Sequence, residues 1–171
     1  MDKRWIMILI IIIIAGICGY FIASSSDTVG NAIVDVNTFT VTVPHNFGID
    51  STVDETIFIK RGSNEKVSLK DLGKQDSGLK EYNKKIKSFS KNDDIKILNN
   101  TTTTNGNCKI YMINYESSSQ KNMSNQSMAY LYTYEHTFSV KLTGFSDTDY
   151  MNDVLNFIAQ TLKPDYKKSQ E

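Results

Sequence analysis

The feature that most constrains this chain is an uncharged stretch of 19 residues near its start, residues 5–23. At about 1.5 Å of rise per residue, a helix of this length is roughly 28 Å long, close to the roughly 30 Å hydrocarbon thickness of a bilayer. A core helix of a soluble domain would carry a polar stripe, whereas residues 8–14 are apolar on every face. The stretch therefore predicts a transmembrane helix.

Two interpretations of this helix remain open. A cleaved signal peptide usually has a shorter apolar region, about 7 to 15 residues, followed by small residues, a role that Ala23 and Ser25 fit. A retained signal anchor suits the greater length and the aromatic pair Tyr20 and Phe21, which fits the membrane interface. We favour the retained anchor.

Charge on either side of the stretch predicts its orientation. Lys3 and Arg4 precede it, whereas residues 24–59 hold five acidic residues and no Lys or Arg. Because positive charge is retained on the cytoplasmic side, residues 1–4 are expected inside and the remainder outside. The prediction is a single-pass protein of the cell membrane with an extracytoplasmic C-terminal part.

The exported part has the size of one domain, since 171 − 23 leaves 148 residues. We divide it into a polar linker (24–33), a folded domain (34–165) and a polar tail (166–171). Cys108 is its only cysteine, which excludes an intrachain disulfide there and predicts a small buried side chain. Its 17 basic and 18 acidic residues give no bulk attraction to nucleic acid.

Alternating apolar residues predict the strands. The segment 33–43 reads as one period-2 strand that Pro44 ends, and segments 56–61 and 66–72 read as a hairpin around Gly62. Four further strands are predicted at 94–98, 108–116, 127–136 and 137–145, with a tight bend near His136 and Thr137.

Two helices are predicted from helical spacing. The first begins near Asp76 and Ser77, and the second spans residues 146–162, with Ser146 as the N-cap and Pro164 as the stop. One face of the first helix is apolar; its residues are Leu79, Tyr82, Ile86 and Phe89. Strands and helices in this order predict an α+β fold, a mostly antiparallel sheet flanked by two helices.

The segment FTVTVPHNFGI, residues 39–49, resembles the opening of PsbP-like domains, in which an amphipathic strand leads into a Pro-x-x-Phe turn. The later order of a basic helix, a strand meander and a final helix closing on FIAQTLKP is also similar to that superfamily, so the resemblance covers residues 34–165. It implies an α/β/α sandwich whose members, such as photosystem subunits, a nuclear-import factor and periplasmic lipoproteins, act mostly as binding or assembly factors. It supplies no catalytic residue.

A lysine stripe is the best candidate binding surface. Residues 60–96 hold 11 basic and 6 acidic residues, and the stripe lies on the polar face of the first helix: Lys80, Lys84, Lys87 and Lys91. Each lysine near an anionic lipid surface contributes about 1 kcal/mol. The stripe therefore predicts a protein partner or an anionic envelope partner, although a charge run is more often only a solvated face.

A second candidate is a row of aromatic residues, Tyr130, Tyr132 and Tyr134, which alternates along a predicted strand together with Met128, His136 and Phe138. Such a row either stacks sugars or peptide or, more often, packs under a helix.

Catalytic and metal chemistry have little support. His45 and His136 lack a metal-like partner at i+2 to i+4, and Glu116 and Glu135 read as solvated strand residues unless they share a cleft. We expect no cofactor.

Four asparagines in N-x-S/T sequons are candidate glycosylation sites in exposed loops: Asn99, Asn100, Asn122 and Asn125.

The leading interpretation is a membrane-anchored extracytoplasmic binding or assembly module without catalysis. The alternatives are an envelope enzyme with a cryptic cleft, and a structural component of a surface coat.

Overall fold

A computed structural model of the protein describes residues 33–36, 38–118 and 125–165. The predicted anchor, nearly all of the linker, the polar tail and Asn122 lie outside these ranges, as does the side chain of Asn125. Within the described ranges, neither helix combines the length and the apolar character needed to cross a membrane.

The described ranges form ten strands and two helices. In chain order these are β1 (Ile33–Val36), β2 (Phe39–Thr42), β3 (Gly48–Val53), β4 (Thr56–Arg61), β5 (Glu65–Lys74), α1 (Leu79–Phe89), β6 (Ile95–Asn105), β7 (Cys108–Ser117), β8 (Asn125–Thr133), β9 (His136–Phe145), α2 (Thr148–Thr161) and β10 (Lys163–Pro164).

Seven strands form a large antiparallel sheet in the order β3-β4-β5-β9-β8-β7-β6, and three form a small antiparallel sheet in the order β1-β2-β10. The predicted class, a mostly antiparallel sheet with two helices, is confirmed. The small sheet joins the two ends of the domain, because β10 pairs with β2 and the Asp165 amide donates to the Thr38 carbonyl at 2.8 Å.

Two cores lie on opposite faces of the large sheet. The inner core packs α2 and the small sheet against the large sheet, where Phe39 meets Phe138 edge to face at a ring distance of 5.2 Å. The outer core packs α1 over β6, β7 and β8 through Tyr82 and Phe89. The layers are therefore α1, the large sheet, and α2 with the small sheet.

The predicted single strand before Pro44 is wrong, because the chain reverses there and forms the β1–β2 hairpin. Val36 lies opposite Phe39 and Val34 opposite Val41, and paired residues share one face of a sheet. All four side chains therefore enter the inner core. The buried positions change from even numbers before the turn to odd numbers after it, and in one continuous strand these two sets would face opposite sides. This change of phase is the signal in the sequence that marks the reversal.

The predicted bend near His136 and Thr137 lies two residues earlier in the structure. Tyr134 and Glu135 have φ of 49° and 64°, and Thr133 pairs with His136 across them. Two central residues with positive φ are typical of a type I′ hairpin turn, which usually contains Asn or Gly. Tyr and Glu give no such signal, so the turn was placed wrongly.

Two edge strands differ from the prediction. The strand predicted at 94–98 extends to Asn105 as β6, so Asn99 and Asn100 lie exposed on a strand and the prediction of a loop there is wrong. The Thr-rich continuation suits a pleated surface, since β-branched residues are frequent in strands. At the other edge, β3 was not predicted because all six of its side chains are exposed and it has no buried alternation.

The helices begin later than predicted. Ser77 Oγ accepts from the Leu79 amide at 3.0 Å, and Leu79 is exposed rather than part of the apolar face. At α2 the cap is Asp147, not Ser146: Asp147 Oδ1 accepts from the Asp149 amide at 2.8 Å and from the Tyr150 amide at 3.3 Å. A carboxylate here also interacts favourably with the positive end of the helix.

Candidate functional site

The lysine stripe of α1 lies on the solvent side of the helix. At 100° per residue, Lys80, Lys84 and Lys87 project opposite the buried face of α1. Lys91 lies in the turn that follows the end of α1, so the prediction that it belongs to the helical face is wrong; all four lysines are exposed. Among the described residues, the stripe has one ion pair, between Lys84 Nζ and Glu81 Oε2 at 3.8 Å. The stripe therefore presents ammonium groups to whatever approaches α1 from outside.

The three candidate tyrosines do not form a continuous exposed row. Tyr130 is buried and Tyr132 half-buried under α1, whereas Tyr134 is 49% exposed in the β8–β9 turn. The two-residue turn also changes which positions face α1, so Phe138 points into the inner core. The alternating row in the sequence therefore divides between two faces, and its β8 part packs under a helix.

A cleft that sequence reasoning missed lies on the outer face of the large sheet, beyond the strands that α1 covers. Its volume is about 210 Å³, and we call it the outer-sheet cleft. Its lining residues come from β3, β4, β5 and β9: Asp50, Phe58, Ile59, Lys60, Lys66, Val67, Ser68, Lys141 and Thr143.

Positive charge dominates the outer-sheet cleft. Lys60 lies directly opposite Lys66 in the register of β4 and β5, an arrangement that destabilises a sheet when both residues are charged. Asp50 accepts a hydrogen bond from Lys60, which holds the pKa of its carboxyl below the ordinary value; the charges of Lys60 and Lys66 act in the same direction. Three lysines therefore face one carboxylate.

Lys85 of α1 adds to this positive region. Burial lowers the pKa of its ammonium group, and the nearby charge of Lys141 lowers it further. Its Nζ also lies 4.7 Å from the centre of the Phe89 ring, a cation–π contact. The side of α1 that faces β9 is therefore basic as well.

The cleft lysines are separated by up to 81 positions along the chain, from Lys60 to Lys141. Alternation on each strand would place them on the face opposite the buried valines and isoleucines, but only strand order and register bring them together. The one sign of this basic surface in the sequence is the excess of basic residues in 60–96, which the sequence analysis attributes to the α1 stripe.

The Pro-x-x-Phe turn closes the end of the inner core. Phe47 stacks on Phe145 at a ring distance of 6.2 Å, and Arg61 lies over Tyr150 at 4.3 Å from the ring centre. Arg61 also donates from both Nε and Nη2 to Glu65, and the second of these bonds is 2.9 Å long. His45 lines a depression of about 250 Å³ beside this group.

His136 is buried rather than at the surface. Its side chain lies next to Asp71 with 3.6 Å between Nδ1 and Oδ2, and the two residues are 4% and 6% exposed. Asp71 also accepts from the Gly73 amide at 2.7 Å. The pair joins β5 to β9 at the irregular end of their pairing.

Cys108 is buried, as predicted, and burial raises the pKa of its thiol to about 12.

Glu116 and Glu135 lie at opposite ends of the large sheet and pair with lysines: Glu116 with Lys96 at 3.7 Å and Glu135 with Lys74 at 2.9 Å. They therefore do not form a catalytic pair.

Glu135 and Lys74 line a surface depression of about 490 Å³ beside Tyr132. In the part of the chain that the structure describes, no three His, Cys, Asp or Glu side chains gather to hold a metal ion.

Several solved structures are similar to this chain, and two of them are described below. The solution structure of cyanobacterial PsbP (CyanoP) from Synechocystis sp. PCC 6803 matches with a TM-score of 0.51 and 10% identity, over 80% of this chain and 93% of that one. A crystal structure from Bacteroides thetaiotaomicron VPI-5482 matches with a TM-score of 0.55 and 10% identity, over 81% of this chain and 49% of that one. This chain therefore spans about half of the second structure.

No protein-family model matches the chain, and no curated protein matches it. At 10% identity the structural likeness shows the fold alone. The fold of the described domain is PsbP-like, in agreement with the resemblance seen in residues 39–49.

Proposed function

We propose that this chain is a single-pass, membrane-anchored extracytoplasmic protein that acts as a non-catalytic binding or assembly module. Residues 5–23 are its anchor, residues 1–4 are cytoplasmic, and the PsbP-like domain lies outside the membrane. Its working surface is the lysine stripe of α1, and its partner is a protein with an acidic face.

The exposure of the stripe carries this proposal. Three exposed lysines lie on the side of α1 turned away from the sheet, and Lys91 follows in the next turn. Among the described residues, one of the four has a carboxylate within 4.0 Å. Rows of like charge on a surface accelerate association with a surface of opposite charge and select against partners of the same sign.

The placement of the candidate catalytic residues gives independent but weaker support for a binding role. A PsbP-like fold carries no activity by itself, since one fold hosts many unrelated functions. The carboxylates singled out in the sequence, Glu116 and Glu135, are solvated and far apart, and His136 is enclosed in the domain. These placements give the enzyme alternative no specific residue, so a binding role is the better-supported one.

The test is crosslinking in intact native membranes, followed by recovery of the tagged full chain beside the variant K80E/K84E/K87E/K91E. If the proposal is right, a specific partner is crosslinked to the native chain and is lost from the variant, because four attractive charges become repulsive. The captured partner is expected to present an acidic surface.

A matched control separates the stripe from net charge. The variant K70E/K96E/K109E/K163E changes four other exposed lysines and shifts the net charge equally. It is expected to retain the partner. Equal loss from both variants would mean that total charge, rather than the α1 surface, drives association. Equal retention by both would remove the stripe from the mechanism.

A further inference from the structure

We propose that the outer-sheet cleft is a binding site for a phosphate monoester group, held between the ammonium groups of Lys66 and Lys141. The group belongs either to a free small molecule or to a lipid headgroup, and the recognised chemistry is the same for both. This site is separate from the stripe of α1 and does not depend on the function proposed above.

Strand register gives the site its shape. Lys66 lies opposite Thr143, and Ser68 lies opposite Lys141, so two lysines and two hydroxyl residues occupy the corners of one rectangle on the outer face. Residues two apart on a strand are about 7 Å apart, and neighbouring strands are about 5 Å apart. A phosphate group that accepts hydrogen bonds of about 2.8 Å fits a frame of this size.

The positive charge of the cleft matches the negative charge of a phosphate monoester. The hydrogen bond to Asp50 neutralises Lys60, whereas Lys66 and Lys141 have no ion-pair partner among the residues in the described ranges. Two positive charges therefore remain in the cleft. A phosphate monoester carries about −1.5 to −2 at pH 7, which balances them, whereas a single carboxylate would balance only one.

The remaining walls leave room for the rest of the molecule. Phe58 lies opposite Ser68 and is 38% exposed, so its ring offers an apolar surface beside the proposed phosphate position. A cavity needs about 10–15 Å³ to hold one water, so a cleft of about 210 Å³ holds much more than a single water. This is enough for a phosphate group and a short organic stub.

The cleft also has an electrostatic conflict that such a ligand would remove. Lys66 and Lys141 lie at diagonal corners of the same rectangle, and the charge of Lys141 also lowers the pKa of Lys85. Like charges on neighbouring strands repel each other, and an anion between them would offset that repulsion. Bound phosphate would supply that anion.

The experiment is an NMR titration of the full chain in uncharged detergent micelles, with the lysines carrying ¹³C-methyl labels. Glycerol phosphate is the soluble probe, and phosphatidic acid added to the micelles is the lipid probe. Sodium chloride at equal ionic strength is the control. We expect a saturable shift of the Lys66 and Lys141 signals with at least one probe.

Whichever probe is bound identifies the source of the phosphate. Binding of glycerol phosphate indicates a free ligand, and binding of phosphatidic acid alone indicates a headgroup. Affinity for the bound probe should fall as the pH decreases from 7 to 5, because the monoester gains a proton near pH 6 and loses part of its negative charge. Sulfate, which keeps its two charges over this range, should show no such loss.

The variant K66Q/K141Q should weaken binding by about tenfold or more, because both charge-assisted contacts are removed. The matched variant K109Q/K163Q, at exposed lysines outside both the cleft and the α1 stripe, makes the same change in charge and should leave the affinity unchanged. Equal weakening by both variants, or shifts no larger than those with sodium chloride, would overturn the proposal. Amide spectra of both variants verify that the fold is intact, and both pairs of lysines are exposed.

Discussion

Gly144 of β9 lies so close to the β4–β5 turn that the structure predicts a large loss of stability when a side chain is added there. Gly144 has φ of +82°, and a Cβ placed on it would lie 1.9 Å from the carbonyl oxygen of Asn64. Replacing Gly144 by Ala therefore imposes an unfavourable backbone conformation, at about 1–2 kcal/mol, and a clash with backbone. Overpacking of this kind adds about 1–3 kcal/mol. The expected loss of unfolding free energy is about 2–5 kcal/mol.

The chain offers a matched control for this substitution. Gly73 has the same φ of +82°, but a Cβ there would meet nothing within 4 Å. Gly73→Ala should therefore lose only the conformational part, about 1–2 kcal/mol. The difference between the two variants isolates the steric effect of the Asn64 carbonyl.

The assay is urea unfolding of the full chain in uncharged detergent, followed by far-ultraviolet circular dichroism. With a urea dependence of about 2 kcal/mol per molar, Gly144→Ala should lower the midpoint by about 1–2.5 M, and Gly73→Ala by about 0.5–1 M. Equal shifts for the two variants would mean that the β4–β5 turn does not pack closely on Gly144.

Three further predictions concern other parts of the chain. In a C18S background, Cys108 should resist alkylation at pH 8 in the folded protein and react after unfolding. A pKa of about 12 leaves about one thiol in 10,000 ionised at that pH. Rapid labelling of the folded protein would contradict the burial of Cys108. In the C18S background, K91C should react with a membrane-impermeant maleimide on intact cells, and labelling only after lysis would reverse the proposed orientation. Asp147→Ala should lower the unfolding free energy by about 1 kcal/mol, since the α2 cap is lost, whereas Ser146→Ala should change it little; similar losses measured by urea unfolding would reassign the cap.

Local signals account for the parts of the fold that the sequence predicted well. The β4–β5 hairpin has a turn with Gly62 between two alternating segments, and each helix has helical spacing of apolar residues. The turn at Tyr134 and Glu135 was misplaced because neither residue type favours positive φ. Prediction failed where the chain uses a residue against its usual preference.

The α1 stripe could be predicted from the sequence, whereas the lysines of the outer-sheet cleft could not. The α1 stripe was visible because helical spacing is a local property, and its four residues lie within 12 positions, 80–91. The outer-sheet cleft was not visible, because Lys141 reaches Lys66 only through the pairing of β5 with β9. Knowing which strands are neighbours requires the whole topology, and a single sequence with alternating strands is compatible with several.

The small sheet has a consequence for the timing of folding. Phe39 of β2 pairs with Pro164 of β10, a separation of 125 residues. In an otherwise unfolded chain, closing a loop of this length costs about 4 kcal/mol in entropy before any contact is gained. A chain that emerges N-terminus first must therefore keep Phe39 and Thr40 without their β10 partners until almost all of the domain has emerged. During that interval the first hairpin has an unpaired edge, to which a strand of another chain can bind.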